Sequence, residues 1–306
     1  MPYAEECRMS YCSSIFIRYS NDCVILAACQ QFRVRDSESI SAFIASVSEP
    51  IIENSKSILF GPFQLSYPQI NVQFRAAGLN PFNCSYSSIH DFSSRGNTPR
   101  NYDFLNPLSE VKICVLLPQH LDPTDRTIDG MFFLLHIFLS LHPVLFQYLE
   151  VLQRLKSLQA TLDPNLSIVP PTYSGLLINP SPDGGFALIG LFFHIGVEGN
   201  ARQLIKRLYD LSVYLVRSRC LQYSREDITR IFGDSTLAKH SALGPVIMLQ
   251  FYGPPGIAVG QVCQGVGDEL VGREHIEPPT LIHVTLDSTT ASKQADMLSH
   301  FPVSRA

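Results

Sequence analysis

The sequence has few charged residues and no run of like charges. Charged residues make up 16% of its 306 residues, hydrophobic residues make up 45%, and the formal net charge is −4. So low a charge content favours a surface that protein partners partly cover. Because no basic stretch is present, we expect no nucleic-acid partner, and a glycan ligand is left open without direct support.

Closely paired cysteines are also missing. The eight cysteines form no pair of CxxC knuckles, which argues against a structural zinc ribbon. Their even number permits disulfides without requiring them, because free cysteine is a common core residue. The first 20 residues lack a basic start followed by an apolar stretch, so no signal peptide is predicted and no cell compartment is indicated.

One long uncharged stretch raises the question of a membrane span. Residues 131–149 carry no charge, and their number would suffice for a spanning helix. His136, Ser140 and Pro143 interrupt the stretch, and abundant Phe fits buried strands better. We therefore expect strands here, with a membrane span as the less favoured alternative.

No internal repeat is predicted along the chain. Two segments, 144–158 and 200–219, have apolar residues at three- and four-residue spacing and predict helices, the second with Asn200 as its N-cap. Residues 80–110 are rich in Ser, Asn and Pro and predict loops. Apolar runs bounded by turn residues predict strands at 111–117, 131–141, 186–195, 246–252 and 281–286.

Several segments resemble the α-type carbonic anhydrase family. Residues 182–196 (PDGGFALIGLFFHIG) are similar to the family's Asp-Gly turn and buried strand, "LAVLGIFLEVG". Residues 122–130 (DPTDRTIDG) resemble its "TPSEHTIDG" turn, and residues 29–34 (CQQFRV) resemble its "CxGxxQSPIDI" segment. Residues 60–67 and 244–259 are similar to two further segments, and all of them occur in the family's order.

The resemblance implies a mostly β, α+β fold. We expect a single domain with a large twisted mixed central β-sheet and short peripheral helices, as in α-carbonic anhydrases. This carbonic anhydrase-like domain is expected over residues 23–290, after an N-terminal extension over 1–22 and before a loose C-terminal tail over 291–306.

The family's zinc site is degenerate in this sequence. Members of the family hold zinc with three histidines on two neighbouring strands. When the sequences are aligned on the shared Thr-Ile-Asp-Gly turn, the three ligand positions fall on Gln119, Leu121 and Phe138. His120 and His136 could replace them only after a shift of register on each strand, and the two would still lack a third ligand.

Two other positions of the family's catalytic machinery also bear on activity. Asp125 stands where the family has the Glu that orients a gate hydroxyl, and Thr236 falls at the gate position in one of two registers. We therefore predict a catalytically inactive carbonic anhydrase-like protein without a cofactor. It would act as a binding or scaffold module for a protein partner, or as a structural subunit of a larger assembly.

Two alternatives remain open at this point. The first is an active zinc carbonic anhydrase that hydrates carbon dioxide at a rearranged site around His120 and His136. The second is an accidental resemblance in an unrelated structural protein, which a fold without one large central sheet would indicate.

Overall fold

The structure is a computed structural model, and it describes residues 11–94, 99–107, 161–178, 180–299 and 301. The predicted strands at 111–117 and 131–141 and the predicted helix at 144–158 lie outside these residues. The uncharged stretch 131–149 lies outside them too. Within the described ranges, no helix combines the length and the apolar character needed to cross a membrane.

The first part of the chain is a curled parallel sheet of the β-helix type, with seven strands in all. A two-stranded sheet of β6 and β9 and the short helix α1 lie beside it. These elements are β1 (Tyr11–Arg18), β2 (Asn21–Arg35), β3 (Glu38–Ser46), β4 (Ile51–Glu53), β5 (Lys56–Pro62), β6 (Leu65–Ser66), α1 (Ile70–Ala76), β7 (His90–Asp91), β8 (Tyr102–Phe104) and β9 (Thr161–Leu162).

The curl arises because β2 belongs to both faces of the β-helix. Its first half pairs with β3, and its second half pairs with β1 and β4. The first face therefore contains β1, the second half of β2, β4 and β7, and the second face contains the first half of β2, β3, β5 and β8. Every pairing is parallel, so each coil of the chain stacks on the previous one in register.

The chain turns at the same place in each coil. A serine follows each corner, and these serines form a ladder: the Ser20 amide donates to Ser37 Oγ at 3.2 Å, and the Ser37 amide donates to Ser55 Oγ at 3.1 Å. Successive serines are 17 and 18 residues apart, so the expectation of no internal repeat was wrong. Left-handed backbone conformations mark the three corner residues, with φ values of 50°, 49° and 44° at Tyr19, Asp36 and Asn54.

Aliphatic and aromatic side chains fill the inside of the β-helix. Phe32 and Phe60 come from opposite faces and meet edge to face, with ring centroids 6.2 Å apart. Ile40, Ile52 and Ile58 are fully buried around them. β-Branched residues pack well on pleated surfaces that are stacked this closely, which explains why short Ile-rich segments form the strands.

The second part of the chain is a four-stranded antiparallel sheet in the order β11-β12-β10-β13. This part of the chain contains two strand–helix–strand units, and the strands of the two units alternate in the sheet as in ferredoxin-like folds. Its elements are β10 (Gly185–Leu191), α2 (Val197–Asp210), β11 (Tyr214–Leu221), α3 (Arg225–Phe232), β12 (Val246–Gly253), α4 (Val259–Glu274), β13 (Ile282–Thr285) and α5 (Ser288–Ser299).

The edge strand β11 joins the two parts through the loop that follows α1. Asn83 Nδ2 donates to the Cys220 carbonyl, the Cys220 amide donates to Asn83 Oδ1, and both distances are 2.7 Å. Ser218 Oγ also donates to the Phe82 carbonyl at 2.9 Å. These bonds hold the end of β11 close to the first face of the β-helix.

The predicted mixed α+β class is confirmed, but the prediction of one large carbonic anhydrase-like central sheet is wrong. The described residues form separate sheets of seven, four and two strands. The seven-stranded sheet curls on itself because coils of 17 or 18 residues stack in parallel. β1 lies in the segment expected to be an N-terminal extension, and α5 extends to Ser299 within the expected tail.

The predicted strands at 186–195, 246–252 and 281–286 correspond to β10, β12 and β13. The predicted helix at 200–219 was wrong in both bounds. It begins at Val197, with the left-handed Gly196 rather than Asn200 as N-cap, and it ends at Asp210. Residues 214–219 of the predicted helix belong instead to β11, since pairing with β12 outweighs the local helical spacing.

Candidate partner-binding site

A cluster of arginines lies on the outer side of the first face. Phe32 and Val34 point into the coil and are at most 1% exposed, so the alternating residues on β2 point outward. Parallel pairing places each of these beside residues from the neighbouring coils. We call this surface the arginine face, and it consists of Phe16, Arg18, Arg33, Arg35 and Glu53.

Glu53 holds the centre of the arginine face. Its carboxylate contacts Arg33 Nη2, and its second oxygen lies 3.7 Å from Arg35 Nε. The Arg33 side chain is still 37% exposed, so it remains accessible from solvent. Arg35 also forms an ion pair with Asp36 at the neighbouring corner, with 3.2 Å between Nε and Oδ2.

Phe16 supports the same arginines from the preceding coil. The Arg33 guanidinium lies 5.1 Å from the centre of the Phe16 ring, and that of Arg18 lies 4.1 Å from it. Cation–π contacts of this kind favour the charged, planar guanidinium. Arg33 therefore has a carboxylate on one side and an aromatic ring on the other, and both come from rigid strands.

A groove of about 620 Å³ separates the arginine face from the second part of the chain. Its β-helix wall includes Arg33, Ile51 and His90. The opposite wall includes Arg219 on β11 and Phe301, which follows α5. Since two arginines and several apolar side chains line it, the groove favours a partly apolar, negatively charged ligand.

The carbonic anhydrase-derived positions cannot be located in this site. Gln119, Leu121, Asp125 and Phe138 lie outside the described residues, and so do the candidate metal ligands His120 and His136. Their roles rested only on the family resemblance. The prediction of no cofactor, and of zinc in the alternative, stays a prediction.

Thr236 is the one predicted site residue that the structure describes. It is exposed between α3 and a short 3₁₀ helix, Leu237–Leu243, and its amide donates to Asp234 Oδ1 at 2.7 Å. Thr236 does not line the groove beside the arginine face. In the described part of the chain, no three His, Cys, Asp or Glu side chains are grouped so that they could hold a metal ion.

The sequence contains a signal for the arginine face that was missed. Each corner serine is preceded two residues earlier by a charged residue: Arg18, Arg35 or Glu53. Residues 29–34 were assigned instead to the start of a carbonic anhydrase domain. Alternation in the segment QFRVR, together with the coil repeat, would have placed Arg33 and Arg35 on the outer side.

Comparison with known proteins gives likenesses to a different family from the one expected. Residues 7–92 match the family described as Tubulin binding cofactor C. Protein XRP2 of Homo sapiens is 30% identical over 276 residues, covering 90% of this chain and 66% of that protein. Tubulin-specific chaperone C of Homo sapiens is 32% identical over 81 residues, covering 26% of this chain and 23% of that protein.

Solved structures give weaker likenesses. Tubulin Binding Cofactor C from Leishmania major is 18% identical with a TM-score of 0.29, covering 34% of this chain and 85% of that chain. The Aquifex aeolicus nucleoside diphosphate kinase is 11% identical with a TM-score of 0.32, covering 38% of this chain and 94% of that chain.

These matches overturn the carbonic anhydrase resemblance, and with it the predicted carbonic anhydrase-like scaffold and its zinc alternative. The order of short motifs was misleading because Asp-Gly turns before apolar strands occur in many folds. The chain spans 66% of the length of human XRP2, slightly under two thirds. It is similar to XRP2 over most of its own length, and its residues 7–92, which contain the arginine face, are similar to the tubulin binding cofactor C family.

Proposed function

We propose that this chain is a tubulin cofactor-like protein that promotes GTP hydrolysis on a partner. The partner would be tubulin or a related GTP-binding protein, bound through the arginine face. Arg33 would reach the phosphates of the partner's nucleotide. The family description and the name of the chaperone C relatives both mention tubulin, which supports a protein partner of this kind.

The observation that carries this proposal is the way Arg33 is held. Its guanidinium is partly exposed yet fixed between the Glu53 carboxylate and the Phe16 ring. A planar guanidinium suits phosphate oxygens because it can donate two parallel hydrogen bonds. An arginine supplied in this way to a GTPase raises its turnover about 10³- to 10⁵-fold in known systems.

The shape of the site indicates that the nucleotide belongs to the partner. Arg33 stands on an open strand face and is reached from outside the molecule. Arg18 and Arg35 flank it and add positive charge. Glu53 would exchange part of its contact with Arg33 for the phosphate when the partner docks.

The test is a single-turnover measurement of GTP hydrolysis by purified tubulin dimers, with and without this chain. Arg33→Ala should lower the stimulated rate at least about 100-fold, because the transition-state charge loses its guanidinium. Arg33→Lys should recover little of the stimulated rate, since an ammonium group cannot donate two parallel hydrogen bonds to a phosphate. A binding measurement on the same proteins should show a much smaller change in Kd.

Arg75→Ala is the matched control, because Arg75 is exposed on α1, away from the arginine face. It should leave both the rate and the Kd unchanged. An Arg33→Ala protein that still stimulates hydrolysis fully would refute the proposed role. Tubulin that neither binds nor responds to the unaltered chain would leave only the related GTP-binding proteins as partners, and the same variants then test those.

A further inference from the structure

We infer that the groove beside the arginine face binds a short acidic peptide segment of the protein partner, with one of its carboxylates on Arg219. This inference rests on the proposed function, because it names the part of the partner that the second half of the chain would recognise. It assigns a role to a groove in which Arg33 forms part of one wall.

Arg219 lies on the wall of the groove that β11 contributes. It is 7% exposed and lines the groove. Burial lowers the pKa of Arg219, and the neighbouring Tyr223 and Glu49 act in the opposite direction. Buried arginine is rarely left without an anion, because the desolvation cost of its charge is large.

No residue of the described chain supplies that anion directly. Neither a hydrogen bond nor an ion pair joins the Arg219 guanidinium to any described side chain, Glu49 included. The Tyr223 hydroxyl, which interacts electrostatically with Arg219, is likewise buried without a partner in the described part of the chain. A ligand carboxylate on Arg219 would neutralise the charge of its guanidinium.

The rest of the groove indicates what accompanies the carboxylate. Apolar side chains also line the groove, among them Ile51, Phe92 and Phe301. Phe92 is 60% exposed and packs edge to face against His90, with ring centroids 4.3 Å apart. A peptide that alternates acidic and aromatic side chains would satisfy both the charge and the apolar surface.

Other occupants fit the groove less well. A nucleic acid requires a row of cations along its backbone, whereas the acidic residue Glu49 also lines this groove. A free phosphate would use Arg219 and leave the apolar lining exposed. A second copy of this chain would have to present a carboxylate there, and sedimentation of the protein at rising concentration would reveal it.

The experiment measures fluorescence anisotropy of two labelled peptides, EFEEFE and the uncharged QFQQFQ, titrated with the full chain in the absence of nucleotide. We expect EFEEFE to bind at least about tenfold more tightly than QFQQFQ, a factor that corresponds to about 1.4 kcal/mol. Arg219→Gln should remove this preference. Inorganic phosphate at millimolar concentration should not displace the peptide.

Two further variants keep the test decisive if Arg219→Gln proves unstable in a thermal unfolding check. His90→Glu places a carboxylate on an exposed rim residue and should weaken EFEEFE binding about fivefold or more through like-charge repulsion. Arg207→Gln, on the exposed side of α2 outside the groove, should leave binding unchanged.

Equal affinity for the two peptides would overturn the inference, and so would EFEEFE binding that neither Arg219→Gln nor His90→Glu weakens. Displacement by phosphate alone would also overturn it, since that result means a free-anion site, and self-association that blocks the groove would mean a second copy instead. The peptide assay uses neither GTP nor tubulin. Its outcome is therefore separate from the Arg33 hydrolysis result, and either proposal can fail without the other.

Discussion

The serine ladder at the corner of the β-helix gives a sharp stability prediction for Ser37→Ala. Ser37 is 4% exposed and sits in the middle of the ladder. Its hydroxyl donates to the Arg35 carbonyl at 2.8 Å and accepts from the Ser20 amide at 3.2 Å. Alanine removes both bonds at once and leaves two backbone groups without these partners.

The expected loss follows from these two bonds. A hydrogen bond of this kind contributes about 1 kcal/mol to the free energy of unfolding, so Ser37→Ala should cost about 2 kcal/mol. Ser20→Ala is the matched control, because Ser20 is at the open end of the ladder and its hydroxyl only donates to the Arg18 carbonyl at 2.9 Å. That change should cost about 0.5 kcal/mol, since water replaces an exposed bond easily.

The assay is equilibrium urea unfolding of both variants, followed by far-ultraviolet circular dichroism. The midpoint should move with the slope unchanged, as expected when stability changes and compactness does not. Should Ser37→Ala lose no more stability than Ser20→Ala, the ladder would not stabilise the corner. Such a result would refute the idea that stacked serines hold the coils in register.

Three further predictions concern the second part of the chain. Gly260→Ala should destabilise by about 1–3 kcal/mol in a urea titration, because a Cβ would come within 2.2 Å of the Leu286 carbonyl oxygen. Cys263 should react with a thiol reagent at pH 8 only as fast as the protein unfolds, since burial raises its pKa to about 12; rapid labelling of the native protein would contradict this. Burial lowers the pKa of His283 below the ordinary value of about 6.5, so the unfolded chain binds more protons and stability should fall as pH drops below about 6.5. His283→Gln should flatten that part of the pH–stability curve, and an unchanged curve would contradict the assignment.

Three of the four strands of the antiparallel sheet, β10, β12 and β13, could be predicted because each is signalled locally. β10 and β12 are continuous apolar runs bounded by glycine, and such runs are typical of strands buried on both sides. The helical prediction over 200–219 went too far because the apolar spacing continues past Asp210. There, hydrogen bonding of β11 to β12, which no local pattern records, decides the structure.

The β-helix could not be recognised from hydrophobic periodicity, because the signal there is the distance between corners. Two of its strands, β7 and β8, lie within the loops predicted at 80–110, and β2 and β3 contain runs of consecutive buried residues without alternation. The corner motif, a charged residue two positions before a serine, repeats at 17 and 18 residues and is the usable pattern. Arg219 has no comparable signal, since only the docking of β11 brings it to the groove.

The stacking of coils also explains why an arginine on this face can be presented with so little freedom. Phe16 precedes Arg33 by one coil and Glu53 follows it by about one, and parallel pairing fixes all three on the same side. A single residue inserted between β3 and β4 would turn Glu53 inward, because side chains alternate along a strand. Arg33 would then keep its position on the strand but lose its contact with the Glu53 carboxylate. Glu53 and Phe16 restrict the rotamers of Arg33 before a partner binds. Without Glu53, binding a phosphate would have to order the Arg33 side chain, at a cost in conformational entropy. The spacing between the corners therefore sets the geometry of the arginine face as strictly as the identity of its residues does.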